Sequence, residues 1–82
     1  MITLRKYQGN FVPWESLIGK YDSTNQVYTT INRYKPGSVI VYYNGQALFS
    51  DNDFSESGPK EIVLTYIKPS NNLSLKASYI RG

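Results

Sequence analysis

Between Pro36-Gly37 and Asn44-Gly45 lies Ser38-Val39-Ile40-Val41-Tyr42-Tyr43, a run in which only the serine is neither β-branched nor aromatic. Such side chains suit a pleated surface far better than a helix. Asn-Gly favours positive φ at both central positions of a turn, so the chain is expected to reverse there into Gln46-Ala47-Leu48-Phe49 as a tight hairpin. Upstream, Lys35-Pro36-Gly37 reads as a turn, with proline fixing φ and glycine supplying freedom. One antiparallel hairpin is thereby specified, and the remaining segments must pack on it.

Those segments repeat the same rhythm. Val27 to Asn32 is rich in β-branched and aromatic residues, and Glu61 to Ile67 is a further strand. Lys68-Pro69-Ser70-Asn71-Asn72 makes a turn before Leu73 to Ile80, where Leu73, Leu75, Ala77 and Tyr79 alternate with Ser74, Lys76 and Ser78. That period of two marks a half-buried antiparallel strand. Ser50 to Lys60 is polar and turn-rich and reads as a loop pinned by an inward Phe54. No segment shows sustained helical periodicity, although Trp14 to Lys20 has room for a short helical turn after Pro13. The expected fold is all-β: an antiparallel β-sandwich of six or seven short strands, Ig-like in general shape. It is assigned to residues 19–82, with residues 1–18 as an N-terminal segment or docking arm.

Composition narrows the function classes. The 82 residues include no cysteine and no histidine, which removes disulfide scaffolds, zinc-finger ligand sets, cysteine nucleophiles and imidazole bases. The many serines therefore have no histidine to activate them. Nine basic against six acidic side chains give a mild +3. No stretch approaches the roughly 20 apolar residues that span a bilayer, and the opening Met1 to Tyr7 has the wrong order for a secretory signal. The reading is a non-enzymatic domain, soluble where it is made, with no membrane partner.

The order of features from Gly19 to Ile80 resembles a known module. Gly19, Asn25 and Tyr28 lead into a strand. Pro36-Gly37-Ser38-Val39-Ile40-Val41 precedes Asn44-Gly45, then Asp53-Phe54, then Ile62-Val63-Leu64, with Pro69, Leu73, Ala77 and Tyr79 completing the series. This resembles a small β-sandwich module of tailed-bacteriophage structural proteins (tail fibre, baseplate, neck and capsid-associated components). Ser70-Asn71-Asn72 departs from the Gly-Asp type of turn usual in that module, and residues 1–18 have no counterpart in it. The resemblance implies a virion structural protein, made in the host cytoplasm, that assembles in multiple copies with capsid, neck or tail subunits and uses no cofactor.

Each candidate site in the sequence also has a plainer role open to it. Asp51, Asp53 and Ser55 alternate as in a calcium loop, but Glu56 stands where that loop needs glycine and Ile62 where it needs a bidentate glutamate. No metal site is expected. The same carboxylates fix neither the separation nor the burial of an acid–base pair, so no catalytic residue is expected. Arg33, Tyr34, Lys35, Tyr42, Tyr43, Lys68 and Lys76 invite an OB-like nucleic-acid reading. Alternation sends Tyr42 and Tyr43 to opposite faces, however, and +3 is a weak electrostatic footprint, so nucleic acid is the less favoured partner. Partner binding is assigned to Tyr7, Phe11, Trp14, Leu17, Ile18, Tyr42 and Tyr43, because large aromatics give much burial at low entropic cost. A receptor- or glycan-binding module, with Trp14 or an exposed tyrosine against the sugar, is the alternative. Finally, a strand such as Val39 to Tyr43 left at a sheet edge would need a partner or a cover.

Overall fold

The computed structural model describes residues 10–82, whose elements are β1 (Phe11–Ser16), β2 (Val27–Thr29), β3 (Ile40–Tyr43), β4 (Gln46–Ala47), β5 (Phe54–Glu56), β6 (Glu61–Leu64) and β7 (Leu75–Ile80). The hairpin forms as its turn chemistry demands. Asn44 and Gly45 take φ of 52° and 84°, and Tyr43 pairs directly with Gln46. Gly37 also has positive φ, 84°, and Ser38 N–H closes that turn on Lys35 O at 3.0 Å.

Two antiparallel sheets result, one ordered β1-β7-β3-β4 and the other β2-β6-β5. The division into four and three strands matches the expected sandwich. The orders β2-β6-β5 and β7-β3-β4 follow the Ig neighbours B-E-D and F-C-C′, and β1 fills the remaining place beside β7. The chain passes between sheets at a corner: Leu17 ends the run of β1, and Ile18 exchanges both backbone bonds with Thr29 at 2.8 Å. Alternation then builds one core. Val41, Leu75, Ala77 and Tyr79 point inward from the larger sheet, and Tyr28, Phe54, Ile62 and Leu64 from the smaller.

Several boundaries differ from expectation, each for a local reason. Residues 11–17 belong to the sandwich: β1 is paired along β7, and Leu17 is 2% exposed. The short helical turn expected after Pro13 is absent, because backbone pairing with β7 takes the chain through Ser16. Residues 54–56, read as loop, form β5, a strand too short to show a period; its Phe54 is buried as expected. Leu73 does not join the inward row of β7. Asn71 Oδ1 accepts its N–H at 2.8 Å and Asn71 O accepts from Ser74 N–H, so a turn leaves Leu73 exposed. The run Val39 to Tyr43 lies in no edge strand, since β3 is flanked by β7 and β4.

One buried polar network ties β1 to β7 and to the segment after β2. Glu15 points inward opposite Ala77; its Oε1 accepts from Tyr79 OH at 2.7 Å and its Oε2 from Ile31 N–H at 2.8 Å. Tyr79 OH in turn accepts from Asn32 N–H and Nδ2. A second cluster sits under the corner, where the Tyr21 and Tyr28 rings lie 4.9 Å apart and Tyr21 OH donates to Leu17 O.

Gly19 is fixed by that cluster. A Cβ there would lie 2.5 Å from Tyr28 Cδ2, while Tyr28 is fully buried and donates through its hydroxyl to Lys20 O. Gly19→Ala is therefore expected to cost about 1–3 kcal/mol by overpacking, read as a drop in thermal midpoint of several degrees. The tyrosines also set a pH limit. Burial pushes the Tyr21 hydroxyl up to about 12, with Tyr28 adding to the rise, and burial likewise raises Tyr28, Tyr34 and Tyr79. The unfolded chain releases these protons near pH ~10, before the folded one does. Their stabilisation is therefore whole below about pH 10 and lost as pH rises through the folded values. Thermal midpoints should fall over that alkaline window in step with tyrosinate absorbance; a flat profile would contradict the assignment.

Candidate docking face

The two sheets differ in what they turn outward. The smaller sheet shows Val27, Val63 and Ser55 in one cross-strand row and Thr29 with Glu61 in the next. The larger sheet shows Phe11 beside Ile80, Ile40 beside Ser78, and Tyr42 beside Lys76. Phe11, Ile40 and Ile80 are 49%, 43% and 42% exposed, and Trp14 on the same side is 54% exposed. A sheet with apolar side chains on both faces is unusual for an antiparallel sandwich, whose outer face is ordinarily polar.

Trp14 owes its position to a β-bulge. Val12 pairs with Tyr79 and Glu15 with Ala77, so Pro13 and Trp14 together oppose Ser78. β1 and β3 lie on either side of β7, roughly 9.6 Å apart at twice the usual strand spacing. The Trp14 and Tyr42 ring centroids are nevertheless 4.9 Å apart, tilted by 46°. The two rings must lean toward each other over β7. Ser78, which points outward by alternation, is consequently only 3% exposed. Lys76 turns aside, its Nζ donating to Ser16 Oγ at 2.7 Å.

The structure therefore sorts the residues assigned to partner binding. Phe11, Trp14 and Tyr42 come together on the outer face. Leu17 is core and unavailable to a partner, because the chain must turn inward there to change sheets. Ile18 is exposed but sits at the corner against Thr29, away from that face. Tyr43 packs on the core side, so the two tyrosines do point to opposite faces. Tyr7 lies outside the described residues. Ile40 and Ile80 complete the face and were not singled out by sequence. Ile40 shares the parity of Tyr42, which was legible; the pairing of Ile80 with Phe11 needed the register.

Other chemistry is dispersed. Arg33 and Lys35 lie by Gly82 and Ile80, at one end of β7, and Lys76 lies toward the other. Among the described residues no three acidic side chains gather where a metal ion could sit. Asp53 Oδ2 accepts from Phe49 N–H, and Asp22 is held below the usual carboxylate range by its bonds from Thr24 and Asn25. Ser57 and Lys60 stand at the Ser-x-x-Lys spacing of some nucleophiles, but Ser57 Oγ donates to Glu61 Oε1 at 2.8 Å. A cleft of about 300 Å³ between the β3–β4 turn and residues 70–74 is lined by Tyr43, Leu73, amides and hydroxyls, with no charged side chain. No helix among the described residues is long and apolar enough to cross a membrane. Comparison with protein-family models, curated proteins and solved structures finds no significant match.

The face and the core make opposite predictions for substitution. Leu17→Ala should lower stability by about 2–5 kcal/mol, as removal of a buried side chain does. Ile40→Lys should change it by less than about 1 kcal/mol, as at an exposed site. Denaturant unfolding of the two variants measures both.

Proposed function

We propose that this chain is a non-enzymatic structural protein of a bacteriophage virion, assembling in multiple copies on capsid, neck or tail. Its docking surface is the outer face of the larger sheet. The observation that supports this most is the Trp14–Tyr42 pair flanked by Phe11, Ile40 and Ile80, an apolar layer with no buried side of its own. Contiguous apolar surface of this kind marks interaction sites, and tryptophan and tyrosine dominate interface energetics. The order of turns and strands from Gly19 to Ile80 supports the virion assignment through its resemblance to phage β-sandwich modules.

A receptor- or glycan-binding module draws on the same ring pair. The 46° tilt gives a sugar no single flat platform, and aliphatic Ile40 and Ile80 suit a protein neighbour better. The test is the composition of purified particles, with the chain supplied as wild type or as Ile40→Lys. The wild-type chain should be found by mass spectrometry at a fixed copy number, and the folded variant should be missing. Absence of the wild-type chain from particles would overturn the reading, and so would saturable glycan binding that Trp14→Ala abolishes.

A further inference from the structure

We infer that the outer face of the β1-β7-β3-β4 sheet takes the same face of a second copy of this chain, sheet upon sheet about a two-fold axis. The inference rests on the assembly reading and names the first partner within it. Size is the first argument. Strands of six, six, four and two residues, at about 4.8 Å between strands and about 3.4 Å per residue, make a face of roughly 300 Å² per copy in projection. Stacking two copies covers roughly 600 Å² in projection, and more of accessible surface because the side chains stand out of the plane, which is the size of a weak, concentration-dependent contact.

Charge is the second. Among the described residues the only ionised side chain that strand alternation sends to this face is Lys76, and its ammonium is drawn to Ser16 at the β1 end of the row. No acid accompanies it. The face therefore asks for no oppositely charged partner, and two copies stacked on each other meet little like-charge repulsion. The smaller sheet turns Val27 and Val63 outward among Ser55, Thr29 and Glu61, so its apolar surface is smaller and carries no aromatic ring.

The edges supply the third argument, by offering no rival mode. β1 contains Pro13, which has no N–H to donate, and a bulge beside it; β4 is two residues long, and β2 and β5 are three each. Short, bulged or proline-bearing edges resist strand addition. Stacked sheets pack about 10 Å apart at roughly −30°, which brings both Trp14–Tyr42 pairs into one central layer. A two-fold contact of one patch with itself is the commonest closed assembly.

Sedimentation equilibrium of the full 82-residue chain, run as a concentration series with fluorescence read in parallel, tests this. The chain has one tryptophan, so emission reports this face alone. The expected result is a mass rising from 9.4 kDa to twice that, with a blue shift of Trp14 emission in step. Ile40→Lys should weaken the dimer at least tenfold with an unchanged far-ultraviolet spectrum. Should that variant fail to fold, Ile80→Lys gives the same reading. A monomer at every concentration would overturn the inference, as would self-association that leaves Trp14 emission or the lysine variants unaffected. A monomer with already blue-shifted emission would overturn it too, by showing the face covered by the chain itself, residues 1–9 included. A chain that is monomeric yet incorporated into particles refutes only the dimer; a dimer absent from particles refutes only the virion reading.

Discussion

Burying a carboxylate is unfavourable unless its oxygens are hydrogen-bonded, and Glu15 meets that condition with one tyrosine hydroxyl and one backbone amide. The partners come from distant parts of the chain: Tyr79 from the last strand and Ile31 from the segment leaving β2. A slip of β1 by one residue along β7 would turn Glu15 outward and leave Tyr79 OH facing only the Asn32 donors, with no acceptor for its own proton. The network therefore does more than stabilise a corner. It selects the register in which Phe11 stands beside Ile80 and the Pro13-Trp14 bulge lies opposite Ser78. The composition of the outer face is a consequence of a polar choice made on the inner one.

The same arrangement explains why β7 is the organising strand. It is paired on both sides, by β1 and β3, and its inward residues Leu75, Ala77 and Tyr79 are fully buried. Ala77 leaves space at the centre of the row for larger neighbours such as Val41 and the inward side chains of the smaller sheet. On the outer side Ser78 plays a comparable part. A small side chain there allows the rings of Trp14 and Tyr42 to meet over the strand. Small residues at the middle of β7, large ones on its flanks, give the sheet two packed surfaces.

Much of this architecture was legible in sequence wherever a side-chain period or a turn residue specified it. Asn44-Gly45 fixed the hairpin, Leu75 to Tyr79 fixed the central strand, and the opposed directions of Tyr42 and Tyr43 followed from alternation. Illegible were features set by pairing alone. β5 is too short to show a period, and β2 ends because, one rung beyond Thr29 (Thr30 N–H to Lys60 O), Ile31 N–H leaves the ladder for Glu15 Oε2. The sequence pattern around Leu17 conceals its burial. Next to exposed Trp14 and Ile18 the leucine looks like one member of an apolar patch, yet a chain that changes sheets must send one residue of that run inward. The face itself was half legible: Phe11, Trp14 and Tyr42 are visible as aromatics, but only the register shows that they share a side.

Edges and faces place different demands on a small sandwich. An open edge offers backbone groups to any strand, so its pairing is strong and indiscriminate, and short strands, proline and bulges suppress it here. An apolar face offers no backbone groups, and its affinity depends on shape and on the few large side chains at its centre. A chain with blunted edges and one apolar face is thus biased toward association that is specific in geometry and limited in extent. The bulge at Pro13-Trp14 contributes to both properties at once: it interrupts the β1 edge and delivers the indole to the centre of the face. That coupling makes the edge difficult to repair without also dispersing the face. Two residues oppose one at the bulge, so no substitution of Pro13 restores a regular ladder; deleting a residue would, and it would take Trp14 from its place over β7.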